Sequence, residues 1–106
     1  MLFISPLVPS QISWISLAQA TGYETPTLRV NWTSPKSEVA IRQYWVQYRK
    51  SEDTHWAIQI SLPPATSADI TDLDAGTNYS VRVRARSDVG AGNWSAEQTK
   101  NTYNCE

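Results

Sequence analysis

The chain has a single cysteine, Cys105, and a single histidine, His55, among its 106 residues. One cysteine excludes a disulfide within the chain, so stability has to come from packing. With one histidine beside it in the inventory, no zinc set can be assembled from His and Cys. No apolar run approaches the roughly 18 residues that a membrane-crossing helix needs. Met1-Leu2-Phe3-Ile4 is too short for the core of a signal peptide, and no basic residue precedes it. Neither sign of charge dominates, since nine Lys and Arg against ten Asp and Glu give a net charge of −1. Bulk attraction to nucleic acid or to an anionic membrane is not expected, and any basic character has to be local.

Apolar and aromatic residues are what the chain has in quantity. Hydrophobic residues make up 41% and charged residues 18%, a balance that excludes an acidic or basic disordered segment. The length fits one domain, because domains most often hold roughly 100–150 residues. The apolar positions recur at period two, in short runs divided by turn residues, which is a strand pattern. Thr27 to Thr33 puts Leu28, Val30 and Trp32 on one face and Arg29, Asn31 and Thr33 on the other. Ile41 to Lys50 repeats this, with Tyr44, Val46 and Tyr48 inward and Trp45, Gln47 and Arg49 outward. Trp56, Ile58, Ile60 and Leu62 mark a fourth strand, which Pro63-Pro64 stops. Thr66 to Thr71 carries Ala68 and Ile70 inward. After the turn Asp74-Ala75-Gly76, residues Tyr79, Val81, Val83 and Ala85 alternate with Ser80, Arg82, Arg84 and Arg86. A first strand is predicted at about Gln11 to Leu17, where Ile12 and Trp14 alternate and Ile15 breaks the pattern, and a last one at about Trp94 to Thr102.

A tyrosine that opens a strand just after a turn is the trace of a tyrosine corner, whose hydroxyl bonds back to backbone a few residues upstream. The run Leu73-x-Ala75-Gly76-Thr77-x-Tyr79-x-Val81-x-Val83-x-Ala85 resembles the E–F corner and F strand of a fibronectin type III domain. Leu28-x-Val30-x-Trp32 is similar to that family's B strand, and Tyr44-x-Val46-x-Tyr48 to its C strand. Gly90-x-Gly92-x-Trp94-Ser95 is similar to its F–G turn and the start of its last strand. The resemblance covers about Pro9 to Thr102. It implies an all-β, seven-stranded antiparallel immunoglobulin-like sandwich without a disulfide, with the first, second and fifth strands on one sheet and the other four on the second. Trp32, Tyr44, Val46, Leu73, Tyr79, Val81 and Val83 are the expected core. The last strand departs from the family pattern, with Gln98 and Lys100 where aliphatic residues usually stand. Residues 1–8 read as a leader or linker, 9–102 as the domain and 103–106 as a tail, as in one module of a longer protein.

Chemistry is sparse. Ser51, Asp53 and His55 include hydrolase residue types, but they crowd one exposed turn with no pocket to exclude water. No catalytic residue, metal site or cofactor is expected. Asp69, Asp72 and Asp74 lack the dense oxygen loop of a calcium motif and read as solvated turn acids. Asn31-Trp32-Thr33, Asn78-Tyr79-Ser80 and Asn93-Trp94-Ser95 are three glycosylation sequons. In each the middle residue is a core or packing aromatic, so alternation turns the asparagine outward, where a glycan has room.

The outer side of the second sheet is the richest surface. Alternation puts Arg82, Arg84 and Arg86 in one row, with Trp45, Gln47 and Arg49 beside them and Trp94 joining if the last strand turns it that way. Arginine over tryptophan is a cation–π arrangement. The row resembles the stacked face of haematopoietic cytokine receptors, of whose Trp-Ser-x-Trp-Ser marker Trp94-Ser95-Ala96-Glu97-Gln98 carries the first half only. Such a face binds a sulfated glycan or another anionic partner, seats a neighbouring domain, or simply covers apolar area with arginine stems. The family resemblance implies a non-catalytic extracellular module, serving as spacer and protein-interaction surface in a glycosylated cell-surface receptor or adhesion protein. Its partners would be a protein ligand or neighbouring domain, with no nucleic acid, and with membrane reached only through the parent protein. The alternatives are an accessory module of a secreted polysaccharide-degrading enzyme and an intracellular structural array module.

Overall fold

Period-two alternation becomes seven antiparallel strands in a computed structural model of the chain, which describes residues 11–20, 22–35, 40–88 and 90–102. The strands are β1 (Ile15–Ala20), β2 (Thr27–Trp32), β3 (Gln43–Lys50), β4 (Ala57–Ser61), β5 (Ser67–Ile70), β6 (Asn78–Arg86) and β7 (Gln98–Asn101). They form a three-stranded sheet in the order β1-β2-β5 and a four-stranded sheet in the order β4-β3-β6-β7. This is the expected all-β sandwich with the expected strands on each sheet, and no helix occurs among the described residues.

The core lies between the sheets. Leu28, Val30 and Trp32 of β2, Tyr44 and Val46 of β3, Ala68 and Ile70 of β5, and Tyr79, Val81, Val83 and Ala85 of β6 are all buried, with Leu73 closing one end. Trp32 meets Tyr44 at 5.1 Å between ring centroids, tilted by 52°. Aromatic pairs in such geometry contribute about 0.5–1.5 kcal/mol beyond their buried area. Tyr48, expected inward, is half-buried at the margin of this cluster.

The corner that follows β5 is hydrogen-bonded throughout. The hydroxyl of Tyr79 accepts a hydrogen bond from the Asp74 amide at 2.9 Å. Gly76 has φ of 63°, a left-handed conformation that a residue with a Cβ adopts at a cost, and its amide donates to the Thr102 carbonyl. Thr102 is fully buried and takes the Thr77 amide on its hydroxyl at 3.1 Å. The end of β7 is thereby fastened to the turn before β6.

Three strands differ from the sequence expectation. The first starts at Ile15 rather than Gln11, with Ile12 and Ile15 buried and Trp14 48% exposed. Residues before Ile15 have no ladder partner, so strict alternation does not govern them. The last strand is short, starting at Gln98, and residues from Trp94 on serve another purpose described below. In β4, Ile60 pairs with Trp45 and Ile58 with Gln47, so its apolar side chains share the outer face of the sheet. Ile58 and Ile60 are 46% and 50% exposed. The expected leader and tail, including Cys105, lie outside the described residues.

Candidate functional site

Register builds the site. β3 and β6 pair so that Gln43, Trp45 and Gln47 stand opposite Arg86, Arg84 and Arg82. Because these alternate with the buried Tyr44, Val46, Val83 and Ala85, all six point away from the core. The four arginines and three tryptophans on this face form one continuous stack. Arg86 lies 4.9 Å from the centroid of the Trp45 ring, and Arg84 lies 5.9 Å from Trp45 and 4.0 Å from Trp94. Arg82 lies 4.4 Å from Trp94 and 4.2 Å from Trp56, and Arg49 lies 4.7 Å from Trp56. The order is Arg86, Trp45, Arg84, Trp94, Arg82, Trp56, Arg49. Each inner guanidinium sits between two rings. An exposed contact of this kind contributes about 0.5–1 kcal/mol, and contacts that share members do not add independently.

Trp94 reaches the stack through Ser95. The Ser95 amide donates to the Val83 carbonyl at 2.8 Å, and the Ser95 hydroxyl accepts from the Val83 amide at 3.0 Å. The residue after Trp94 therefore replaces a strand partner for β6, while Trp94 itself folds over the arginine row. The side chain of Gln11 donates to the Trp94 carbonyl at 2.7 Å and holds it from the other sheet's side. Trp56 was not among the residues expected on this face. The β3–β4 register ends at Tyr48 opposite Ala57, and carrying it one step further sets Trp56 opposite Arg49. That extrapolation was the available signal, hidden because Trp56 reads as the first apolar residue of β4.

Polar contacts tune the stack unevenly. Gln47 Oε1 accepts from Arg82 Nε at 3.0 Å and Nη2 at 2.7 Å, and the Trp45 indole donates to Gln43 at 2.9 Å. Arg49 donates to the carbonyls of Ser51 and Asp53 at 3.0 and 2.6 Å, and its Nη2 lies 3.9 Å from Glu97. Glu97 stands where the cytokine-receptor marker has its second tryptophan. Among the described residues the contacts that hold the Arg84 guanidinium are the Trp45 and Trp94 rings. Its Nε is buried without a hydrogen-bond partner, and burial, aided by the charges of Arg82 and Arg86, lowers its pKa from the usual arginine value. Among the described residues no carboxylate pairs with Arg82, Arg84 or Arg86.

The remaining expected sites are spread over the molecule. Asn78 and Asn93 are exposed, with the side-chain Oδ1 of Asn78 accepting from Asn101 Nδ2 at 3.0 Å, and Asn31 is half-buried on the central strand of the three-stranded sheet. Asp69, Asp72 and Asp74 do not converge and are not free turn acids. Asp69 is bound by Arg29 and by the Tyr23 hydroxyl, Asp72 by Thr25, and Asp74 by Lys50. Ser51, Asp53 and His55 lie on the β3–β4 turn, where Ser51 Oγ faces Ser80 at 3.5 Å. An open recess of about 460 Å³ adjoins this turn, lined by Tyr48, His55, Gln59, Asp72 and Tyr79 among others, and it is open to water. It lies where the edge strand β4 and the β3–β4 turn face the corner after β5.

The fibronectin type III domain family model matches residues 11–101. The chain belongs to the fibronectin type III family. Human interleukin-6 receptor subunit beta is 28% identical to this domain over 99 residues, an alignment that covers 87% of the chain and 10% of that protein. The domain thus spans a tenth of the curated relative's length. A myokine structure superposes with a TM-score of 0.73 at 21% identity, covering 91% of this chain and 99% of that one. A crystal structure of titin domains superposes with a TM-score of 0.76 at 19% identity, covering 92% of this chain and 33% of that one. At those identities the two structures establish the fold of this fibronectin type III domain and nothing of its partners.

Proposed function

We propose that this fibronectin type III domain is a non-catalytic extracellular module of a cell-surface receptor or adhesion protein, in which the Arg–Trp face is a protein-interaction surface. The observation that carries this reading is the stack itself. It holds Arg82, Arg84 and Arg86 in a fixed row with no carboxylate of their own among the described residues. A pre-ordered surface loses less side-chain freedom on binding, and Trp and Arg are the residue types that most often dominate binding energy. The similarity to a receptor subunit supports the receptor setting. The exposed Asn78 and Asn93 fit a glycosylated, extracellular module, and Asn31 is the least accessible of the three sequons.

The test is made on the tagged full-length gene product in a eukaryotic cell line. Surface biotinylation should label it, and peptide mapping should find N-linked glycan at Asn93 or Asn78 before Asn31. Protein confined to the cytosol with all three sequons bare would overturn the extracellular reading.

A further inference from the structure

The stack has two unlike ends. At the Arg49 end the guanidinium is spent on backbone carbonyls and Glu97. At the other end Arg86 has one ring, Trp45, beneath it and, among the described residues, no carboxylate paired with it. That end opens into a groove of about 480 Å³ lined by Arg42, Gln43, Trp45, Ile60, Arg86, Ser87 and Asp88. Arg42 and Asp88 form a bidentate pair on the rim, with hydrogen bonds of 3.1–3.2 Å, so they cancel each other. Among the described residues of the groove, Arg86 is left as the uncancelled cation. Ile60 of β4 lines the groove as well, and the nearby aliphatic residues Ile58, Ile60 and Leu62 are 46%, 50% and 65% exposed. Large aliphatic side chains in line beside a fixed cation are not what a merely solvated face requires.

We infer that the Arg86 end of this face docks a protein segment in which a carboxylate side chain adjoins aliphatic or aromatic residues. The acid would meet Arg86 over Trp45, and the apolar neighbours would cover Ile60 and Ile58. This rests on reading the domain as a protein-interaction module and names its partner's chemistry. A sulfated glycan would satisfy the arginines but leave the isoleucines wet. A second copy of this chain would bring a like-charged face, since the nearby acids Glu97 and Asp88 are already engaged with Arg49 and Arg42.

The experiment titrates the 106-residue chain with three probes of equal charge, followed by ¹H–¹⁵N spectra and calorimetry. They are a capped peptide alternating glutamate and leucine, an oligoglutamate, and a heparin oligosaccharide. The glutamate–leucine peptide is expected to bind tightest and to move the Trp45 indole and Ile60 signals. Arg86→Glu and Ile60→Lys should each raise its Kd about tenfold, roughly 1.4 kcal/mol. Ile60→Lys is the sharper variant, because it adds positive charge and lies on an edge strand outside the stack. If oligoglutamate or heparin binds as well as the peptide, or Ile60→Lys strengthens binding, attraction is purely electrostatic and the inference fails. Signals at Trp45 and Ile60 that move on dilution without any probe identify a second copy as the occupant and overturn it too. Binding of no probe overturns it as well. If surface labelling succeeds while these titrations fail, the groove assignment alone is lost; failure of both removes the module reading.

Discussion

Arg29 and Arg84 occupy equivalent places, each on the outer face of a sheet, and the protein treats them in opposite ways. Arg29 is bound by Asp69 at 2.8 and 3.1 Å, and that hydrogen-bonded pair raises the arginine's pKa while lowering the carboxyl's. Arg84 has only the faces of Trp94 and Trp45, and burial lowers its pKa. A carboxylate neutralises the cation it fixes, and the first face is closed electrostatically. An aromatic ring fixes a cation and leaves its charge in place, so the second face remains available to an acidic partner.

The comparison breaks most visibly at Trp94, whose ring serves both Arg82 and Arg84. Trp94→Ala should lower the urea unfolding free energy by about 2–3 kcal/mol, from two lost cation contacts and lost ring burial. A loss below that of Asp69→Asn would show the stack to be incidental. Asp69→Asn on the paired face is expected to have a smaller effect, under about 1 kcal/mol as for exposed ion pairs, since Arg29 is half-exposed. The sign of its pH dependence follows from the lowered carboxyl. The pair's contribution is present above the ordinary aspartate value, about 3.9, and is lost as pH falls through the lowered one. Melting temperature against pH should therefore fall less steeply at the acid end for Asp69→Asn than for the wild type. The smallest expected effect is with salt. Raising NaCl from about 0.1 to 1 M shortens the screening length from about 10 to 3 Å. That weakens the Arg29–Asp69 attraction and relieves repulsion along Arg82, Arg84 and Arg86. The melting temperature of Asp69→Asn should rise with NaCl relative to that of Arg86→Gln, and equal slopes would remove the electrostatic distinction between the faces.

The strands were legible because each buried one carries a clean alternation, and their division between two sheets was what the family resemblance implied. Tyr79 and its turn could be read from spacing alone. The face was legible in part, since Trp45 and the arginines of β6 follow from the same alternation. Trp56 and the orientation of β4 were not legible, because a half-apolar edge strand reads the same with its isoleucines inward or outward, and pairing with β3 decides. Trp94 was legible only as a conditional, since its place depends on Ser95 bonding to Val83. The partners of the acids at 69, 72 and 74 were not legible, because Arg29, Thr25 and Lys50 come from elsewhere in the chain.

By itself the sequence determined the strand periodicity, the buried set around Trp32 and Tyr79, and the outward row of three arginines, because a pleated strand sends successive side chains to opposite sides whatever surrounds it. Only the tertiary structure decided that three tryptophans from separate segments slot between those arginines and Arg49, and that one end of the row is left open beside exposed isoleucines. Those relations depend on register between strands far apart in sequence, which local alternation does not encode.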